Sequence, residues 1–210
     1  MRSTRVAGLY AVTPDEPGTE LLVAKVVAAV DGGARVVQYR NKTLDPRMRR
    51  AQAQALAATN AIRRALFIVN DDPIVARDLD ADGVHLGEDD GEVAQARACV
   101  GPGRIIGVSC YGDVDRARAA VAAGADYVAF GSFFASTIKP GACRASVDLL
   151  TRARALGVPV VAIGGITAKN ASVLIGAGAD AVAVISDVFA HDDLTDVTRA
   201  AGAIAELFRK

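Results

Sequence analysis

Short apolar runs alternate with alanine-rich stretches along the whole chain. The runs at residues 8–12, 36–40, 66–69, 83–86, 105–110, 127–130, 159–163 and 181–185 are apolar at nearly every position rather than every second one. That pattern fits parallel strands covered on both faces. Helical patterning fills the intervals at about 20–31, 46–64, 73–78, 92–99, 113–123, 146–156, 169–176 and 194–208, predicting eight strands and eight helices. A weak repeat marks the joins. Gly33-Ala34-Arg35-Val36-Val37, Gly124-Ala125-Asp126-Tyr127-Val128 and Gly178-Ala179-Asp180-Ala181-Val182 share one pattern, and Ala81-Asp82-Gly83-Val84 is a looser copy. In the three full copies, a glycine closes a helix in the left-handed conformation and a strand begins two residues later. Eight such βα units in 210 residues predict an α/β fold of one domain, residues 1–210, a (β/α)8 TIM barrel. A doubly wound open sheet is the rival, but no GxGxxG follows the first strand.

Composition narrows the function classes. Hydrophobic residues make up 51% of the chain, and 24 Lys and Arg balance 24 Asp and Glu. A net charge of zero gives no support to nucleic-acid or acidic-membrane binding. Mean hydropathy is +0.26, yet the longest charge-free stretch, residues 155–168, is short of the roughly 20 residues a spanning helix needs. The run 6–12 behind Arg2 and Arg5 is too short for a signal core. Three cysteines without metal-ligand spacing complete the expectation of a reduced, cytoplasmic protein.

Barrels of this kind build their sites where strands end. Period-two alternation puts Gln38, Arg40 and Lys42 on one side of the second strand, an amide with two cations suited to phosphate oxygens. The competing reading is a solvated charge cluster. Asp71 and Asp90 follow adjacent strands three and four, and two carboxylates beside cations suit Mg²⁺, which completes its shell with water and phosphate. Each aspartate pair could instead only cap a helix, or Asp72 caps while Asp71 faces the mouth. Gly164-Gly165 and Ile185-Ser186, after strands seven and eight, form a second candidate anion pocket. His85 reads as a hydrogen-bonded histidine inside the barrel, and Cys110 as packing.

The ordered set Gln38-Tyr39-Arg40-Asn41-Lys42, Asn70-Asp71, Gly83-Val84-His85-Leu86-Gly87-x-x-Asp90, Gly107-Val108-Ser109, Gly131-x-x-Phe134-x-Ser136-x-x-Lys139, Ala162-Ile163-Gly164-Gly165-Ile166 and Val184-Ile185-Ser186 resembles the thiamine-phosphate synthase family over nearly the whole chain. The resemblance implies that 4-amino-2-methyl-5-hydroxymethylpyrimidine diphosphate is joined to 4-methyl-5-(2-phosphoethyl)thiazole, or its carboxylated form, with release of diphosphate. It implies that Gln38, Arg40, Lys42, Asn70, Ser109 and Lys139 hold the pyrimidine diphosphate, with Arg40, Lys42, Ser109 and Lys139 as the catalytic set. Tyr39 and Asn41 would point the other way and contribute through backbone. Asp71 and Asp90 would bind Mg²⁺. Ser136, Thr137, Ile138, Gly165, Ile185 and Ser186 would line the thiazole-phosphate pocket. In this family the diphosphate leaves first and a pyrimidine carbocation forms, which fits a chain with no visible nucleophile–base pair. The partners implied are these small molecules, with homo-oligomer formation left open.

Three positions depart from the family's pattern: Glu88 stands where Gln is usual, Ser132 where Pro is, and Ile138 where Thr is. Glu88 is expected to add a third negative charge beside the metal. A thiazole tautomerase of the same fold is the nearest alternative, but it usually carries a histidine at the position of Ser132. A barrel that only binds phosphorylated ligands would tolerate loss of Asp71 or Lys139, and both are present.

Overall fold

The computed structural model describes residues 6–88, 90–135 and 145–209. Eight strands, β1 (Gly8–Val12), β2 (Val36–Tyr39), β3 (Leu66–Asn70), β4 (Gly83–Leu86), β5 (Ile105–Tyr111), β6 (Tyr127–Phe130), β7 (Val160–Ile163) and β8 (Ala181–Val184), close into a parallel barrel in chain order. Closure is made by β8 pairing with β1, from Gly8 opposite Ala181 to Ala11 opposite Val184. The predicted (β/α)8 architecture is therefore the observed one.

The repeated joins are Schellman caps. Gly33, Gly124 and Gly178 take φ of +108°, +102° and +111°. The N–H groups of Ala34, Ala125 and Ala179 reach back five residues to the carbonyls of Ala29, Ala120 and Leu174. The aspartate of the repeat has a further job. Asp126 accepts from Ile106 N at 2.9 Å, Asp180 from Val160 N at 2.8 Å, and Asp82 from Phe67 N at 2.9 Å. Each carboxylate thus satisfies an N–H at the start of the preceding strand, on its first residue in β7 and its second in β3 and β5.

Helices cover the outside: α1 (Thr19–Asp31), α2 (Pro46–Ala57), α3 (Pro73–Asp78), α4 (Val93–Val100), α5 (Val114–Ala122), α6 (Asp148–Ala153), α7 (Ala171–Gly176), α8 (Ser186–Phe189) and α9 (Leu194–Ala205). Two differences from the sequence pattern stand out. The single helix expected over 46–64 stops at Ala57 and resumes as a 3-10 turn at Ile62–Arg64. Thr59 bonds the Leu56 carbonyl through both its N–H and its hydroxyl, competing with helix continuation. The second difference is α8, a one-turn helix between β8 and α9, which makes nine helices rather than eight among the described residues. Its last turn is held by Lys25 of α1, a buried lysine whose Nζ donates to the Phe189 carbonyl at 3.1 Å.

Two apolar layers result. Leu9, Val37, Phe67, Val69 and Val84 face outward and pack beneath the helices with Leu22, Val26 and Leu56. Val36, Ile68, Ile105, Val161, Ala181 and Ala183 face inward with Tyr10 and Tyr127. The last helix seals the first: Thr198 Oγ1 donates to the Ala28 carbonyl at 3.1 Å, and a Cβ on Gly32 would lie 2.4 Å from the Thr198 carbonyl oxygen and 2.7 Å from Ala201 Cβ. Gly32→Ala should therefore push α9 off the barrel and cost about 1–3 kcal/mol, the range for an overpacked site. Urea titration should show a lower midpoint at unchanged slope. An unchanged midpoint would mean that α9 can back away freely.

Candidate active site

The mouth is built first from the turn after β2. The strand stops at Tyr39, so the pleat sets only Gln38 and Tyr39. Gln38 points into the barrel. Tyr39 points out, its hydroxyl donating to Gln52 Oε1 of α2 at 3.1 Å. Asn41 also turns away from the mouth, donating to Gln52 Oε1 and the Glu16 carbonyl while accepting from the N–H groups of Thr43 and Leu44. Arg40 and Lys42 are aimed by loop contacts rather than by strand alternation, which corrects the sequence-based placement. The Arg40 backbone is clipped on both sides by buried Thr13, whose Oγ1 accepts from Arg40 N and donates to Arg40 O, both at 2.8 Å. Its guanidinium reaches the two Asp15 oxygens at 3.1 and 3.3 Å. Asp15 also accepts from Lys42 N at 2.7 Å. Neither Thr13 nor Asp15 was singled out as functional by sequence reasoning, although Thr13 marks the end of the first apolar run.

Lys42 leads to the carboxylates, its Nζ lying 3.4 Å from Asp71 Oδ2. Asp71 takes a left-handed conformation at φ +65°, which turns the chain sharply out of β3 and frees Asp72 to cap α3 through Val75 N. Its N–H donates to the His85 carbonyl at 2.8 Å. Asp90 folds back to accept from Gly87 N at 2.6 Å, and a Cβ at Gly87 would meet that carboxylate at 2.5 Å. Asp71 and Asp90 therefore come together, while Asp89 lies outside the described residues. Burial, followed by the hydrogen bond and charge of Asp90, pushes Asp71 up to about 6 against the pull of Lys42. Two carboxylates this close share a proton when no cation lies between them. A pair of carboxylates, with water and phosphate to complete the shell, is a donor set that fits Mg²⁺.

Glu88 does not join them. It is mostly exposed and lies 3.8 Å from Arg116, and no cluster of three potential ligands exists among the described residues. Arg116 in turn donates to the Ser109 carbonyl at 2.9 Å.

On the opposite side, Ile185 and Ser186 line a cavity of about 240 Å³ together with Pro14, Asp15, Arg40, Phe189 and Ala190. The loop after β8 and Arg40 thus share one space. Gly165 does not line that cavity. A Cβ on Gly164 would strike Ser132, and one on Gly165 would fall 2.2 Å from the Ala135 carbonyl oxygen, so close packing between loops also requires these glycines. Ser136, Thr137, Ile138 and Lys139 lie outside the described residues.

Inside the barrel, polar side chains meet below the mouth. Gln38 donates to Asn70 Oδ1 at 2.5 Å and accepts from Tyr10 at 2.8 Å. The hydroxyls of Tyr10 and Tyr127 are 2.8 Å apart. His85 lies 2.8 Å from Tyr127 through Nδ1 and 2.9 Å from Ser109 Oγ through Nε2. Burial depresses His85 to about 4, so it is a neutral interior histidine, as its strand context implied. Cys110 is buried and its thiol is pushed up to about 12 by that burial, which fits packing. The two tyrosines were missed because they stand in apolar runs that have no polar alternation.

A parallel barrel that collects cations, a carboxylate pair and a polar interior at the carboxyl ends of its strands has the architecture of barrel enzymes that handle phosphorylated substrates. The family model described as thiamine monophosphate synthase matches residues 9–188. The chain belongs to the thiamine monophosphate synthase family. It is 54% identical over 202 residues to the thiamine-phosphate synthase of Thiobacillus denitrificans, covering 96% of this chain and 94% of that one. It is 50% identical to the thiamine-phosphate synthase of Aromatoleum aromaticum, covering 99% of each. Among solved structures, the thiamine phosphate pyrophosphorylase from Pyrococcus furiosus superposes with a TM-score of 0.82 at 34% identity, over 97% of this chain and 96% of that one. No helix among the described residues is long and apolar enough to cross a membrane.

The carboxylate pair predicts a pH effect. Because folding raises the Asp71 pKa from about 3.8 to about 6, the folded state holds that proton more tightly than the unfolded chain. The Asp71 contribution to stability is fullest below about pH 4 and is lost as pH rises through 6. Without divalent metal, Asp71→Asn should gain on the order of 1 kcal/mol over wild type at pH 7.5, and the gain should vanish at pH 4. Urea midpoints at the two pH values measure it. A difference independent of pH would contradict the pairing.

Proposed function

We propose that this chain is a thiamine-phosphate synthase, joining the pyrimidine diphosphate to the thiazole phosphate and releasing diphosphate. The observation that carries the reading is near-full-length similarity to the synthases, joined to a mouth whose residues match the family's ordered motifs. The C–O bond between the pyrimidine methylene and the diphosphate breaks, and its electron pair leaves with the diphosphate. The thiazole nitrogen then gives its lone pair to the methylene carbon. With the carboxylated thiazole, CO₂ is lost as well.

The protein's part is to make departure easy and capture fast. Arg40 and Lys42 supply positive charge toward the diphosphate, and Lys139 is assigned the same role. Asp15 already orients the Arg40 fork. Asn70 and Gln38 offer amides to the pyrimidine, and Ser109 a hydroxyl to the diphosphate end. Ile185 and Ser186, with Gly165 and the segment Ser136, Thr137 and Ile138, are assigned to the thiazole phosphate. Such a reaction needs no nucleophile on the protein: it needs stabilised leaving charge and a nitrogen held close. Asp71 and Asp90 are the residues that would hold Mg²⁺, which when bound neutralises charge on the departing diphosphate.

Mixing both precursors with Mg²⁺ and assaying thiamine phosphate tests the reading directly; no product under any metal condition would sink it. EDTA should abolish turnover, and Asp71→Ala and Asp90→Ala should each lower it severely. Full activity in EDTA would remove the metal from the scheme. Lys139→Ala should reduce kcat by on the order of 10²–10³, as for loss of one oriented group that stabilises developing charge. Arg40→Lys keeps the charge but loses the fork, and should raise the KM for the pyrimidine diphosphate about tenfold. If both variants behave as wild type in steady-state kinetics, the diphosphate lies elsewhere.

A further inference from the structure

Six side chains from six strands form one unbroken hydrogen-bonded string through the barrel: Asn70, Gln38, Tyr10, Tyr127, His85 and Ser109, at successive spacings of 2.5, 2.8, 2.8, 2.8 and 2.9 Å. Its ends are assigned to substrate under the proposed function. Its middle three members have no role in that scheme, yet Tyr10, Tyr127 and His85 are all buried. The fold makes room for them. A Cβ on Gly107 would fall 1.9 Å from Tyr127 Cζ and 2.3 Å from its hydroxyl, so β5 gives up a side chain where that hydroxyl sits. The Tyr127 ring lies against His85, with centroids 5.6 Å apart and planes 28° apart.

A string of this kind has a direction. Each hydroxyl, and a neutral imidazole, carries one proton to give. Gln38 donates its Nε2–H to Asn70, so its Oε1 accepts from Tyr10. Tyr10 must then accept from Tyr127, and Tyr127 from Nδ1–H of His85. Nε2 is left bare and takes the Ser109 proton, so Ser109 presents only lone pairs to the mouth. The opposite direction requires every link to reverse: Asn70 donates to Gln38, His85 carries its proton on Nε2, and the Ser109 O–H is free to donate. Mixed states place two protons or two lone pairs face to face in a buried interior, which is costly.

We infer that Tyr10, Tyr127 and His85 are positioning residues that bind the Gln38–Asn70 amide pair and Ser109 into one two-state unit, so that the amide orientation at one side of the mouth decides whether Ser109 donates or accepts at the other. This rests on the proposed function for what binds at the ends. The pyrimidine's exocyclic amino group is a donor and is matched by Asn70 Oδ1, which is turned to the mouth only in the reversed direction. Diphosphate oxygens are acceptors only, and they need the Ser109 proton, free in that same direction. The ring and its leaving group thus select one state of the string together.

Nitrogen-15 NMR of the histidine-labelled full chain tests the string without substrate. The chain has two histidines, and His191→Gln assigns the His85 signals. In the free protein Nδ1 should be protonated and Nε2 bare. Tyr10→Phe keeps the ring but cuts one link. Tyr127, lacking an acceptor, then donates to Nδ1 and the His85 proton moves to Nε2. A proton already on Nε2 in wild type, or one that stays on Nδ1 in Tyr10→Phe, overturns the inference. In steady-state kinetics, Tyr127→Phe should raise the KM for the pyrimidine diphosphate roughly threefold to tenfold, because the reversed state then leaves the Tyr10 proton without an acceptor, whereas Tyr10→Phe, which already frees the Ser109 proton, should not raise it. The KM for the thiazole phosphate should not move, and the double variant should be no worse than the worse single one. A rise in Tyr10→Phe equal to that in Tyr127→Phe, or equal rises in both KM values, also overturns it. If wild type makes no thiamine phosphate, the functional reading falls, while the tautomer measurement still judges the string.

Discussion

Everything in this molecule depends on closing a ring of eight parallel strands with no free edge. Parallel strands bury their backbone polar groups under helices, so each N–H and C=O must find a partner in the next strand. Pairing of β8 with β1 completes that account. The tight Schellman turns keep each crossover short enough for the ring to form, and the aspartates Asp82, Asp126 and Asp180 each satisfy one N–H near the start of the preceding strand in three units.

Closure creates an interior that has to be filled. Much of it is filled by aliphatic side chains such as Val36, Ile68, Ile105 and Val161. The rest is filled by Tyr10, Tyr127 and His85, whose rings supply volume and whose polar atoms must then be bonded. Among the described residues no buried side-chain nitrogen or oxygen is left without a partner. The tyrosine hydroxyls and the imidazole satisfy one another and end on Gln38, Asn70 and Ser109. The polar floor of the mouth is therefore a packing solution and a binding surface at once.

The same economy governs the loops. Asp15 holds both the Arg40 guanidinium and the Lys42 backbone, so one carboxylate from the first loop shapes the cation cluster of the second. Gly87 is needed because Asp90 folds over it, and that fold-back brings Asp90 to Asp71. Lys25 reaches from α1 to the Phe189 carbonyl, fixing the short helix that begins with Ser186. Site geometry here comes from contacts between loops of different units.

The sequence by itself determined the barrel class, the strand order, the turn glycines, the joint position of Asp71 and Asp90, and the outward turn of Tyr39 and Asn41. These follow from local rules: period, capping and adjacency of consecutive units. Only the tertiary structure decided which face is inside for strands such as β1 and β6, because both faces of such a covered parallel strand are apolar and the pattern carries no parity. Tyr10 and Tyr127 could not be told from outward-facing core residues for that reason. Nor could the sequence show that β2 ends at Tyr39 and that Arg40 is aimed by Thr13 and Asp15, since those contacts join residues 25 or more positions apart. Glu88 shows the same limit in reverse: its place in the motif put it beside the carboxylates, but its charge turns toward Arg116, a partner supplied by the next unit of the barrel.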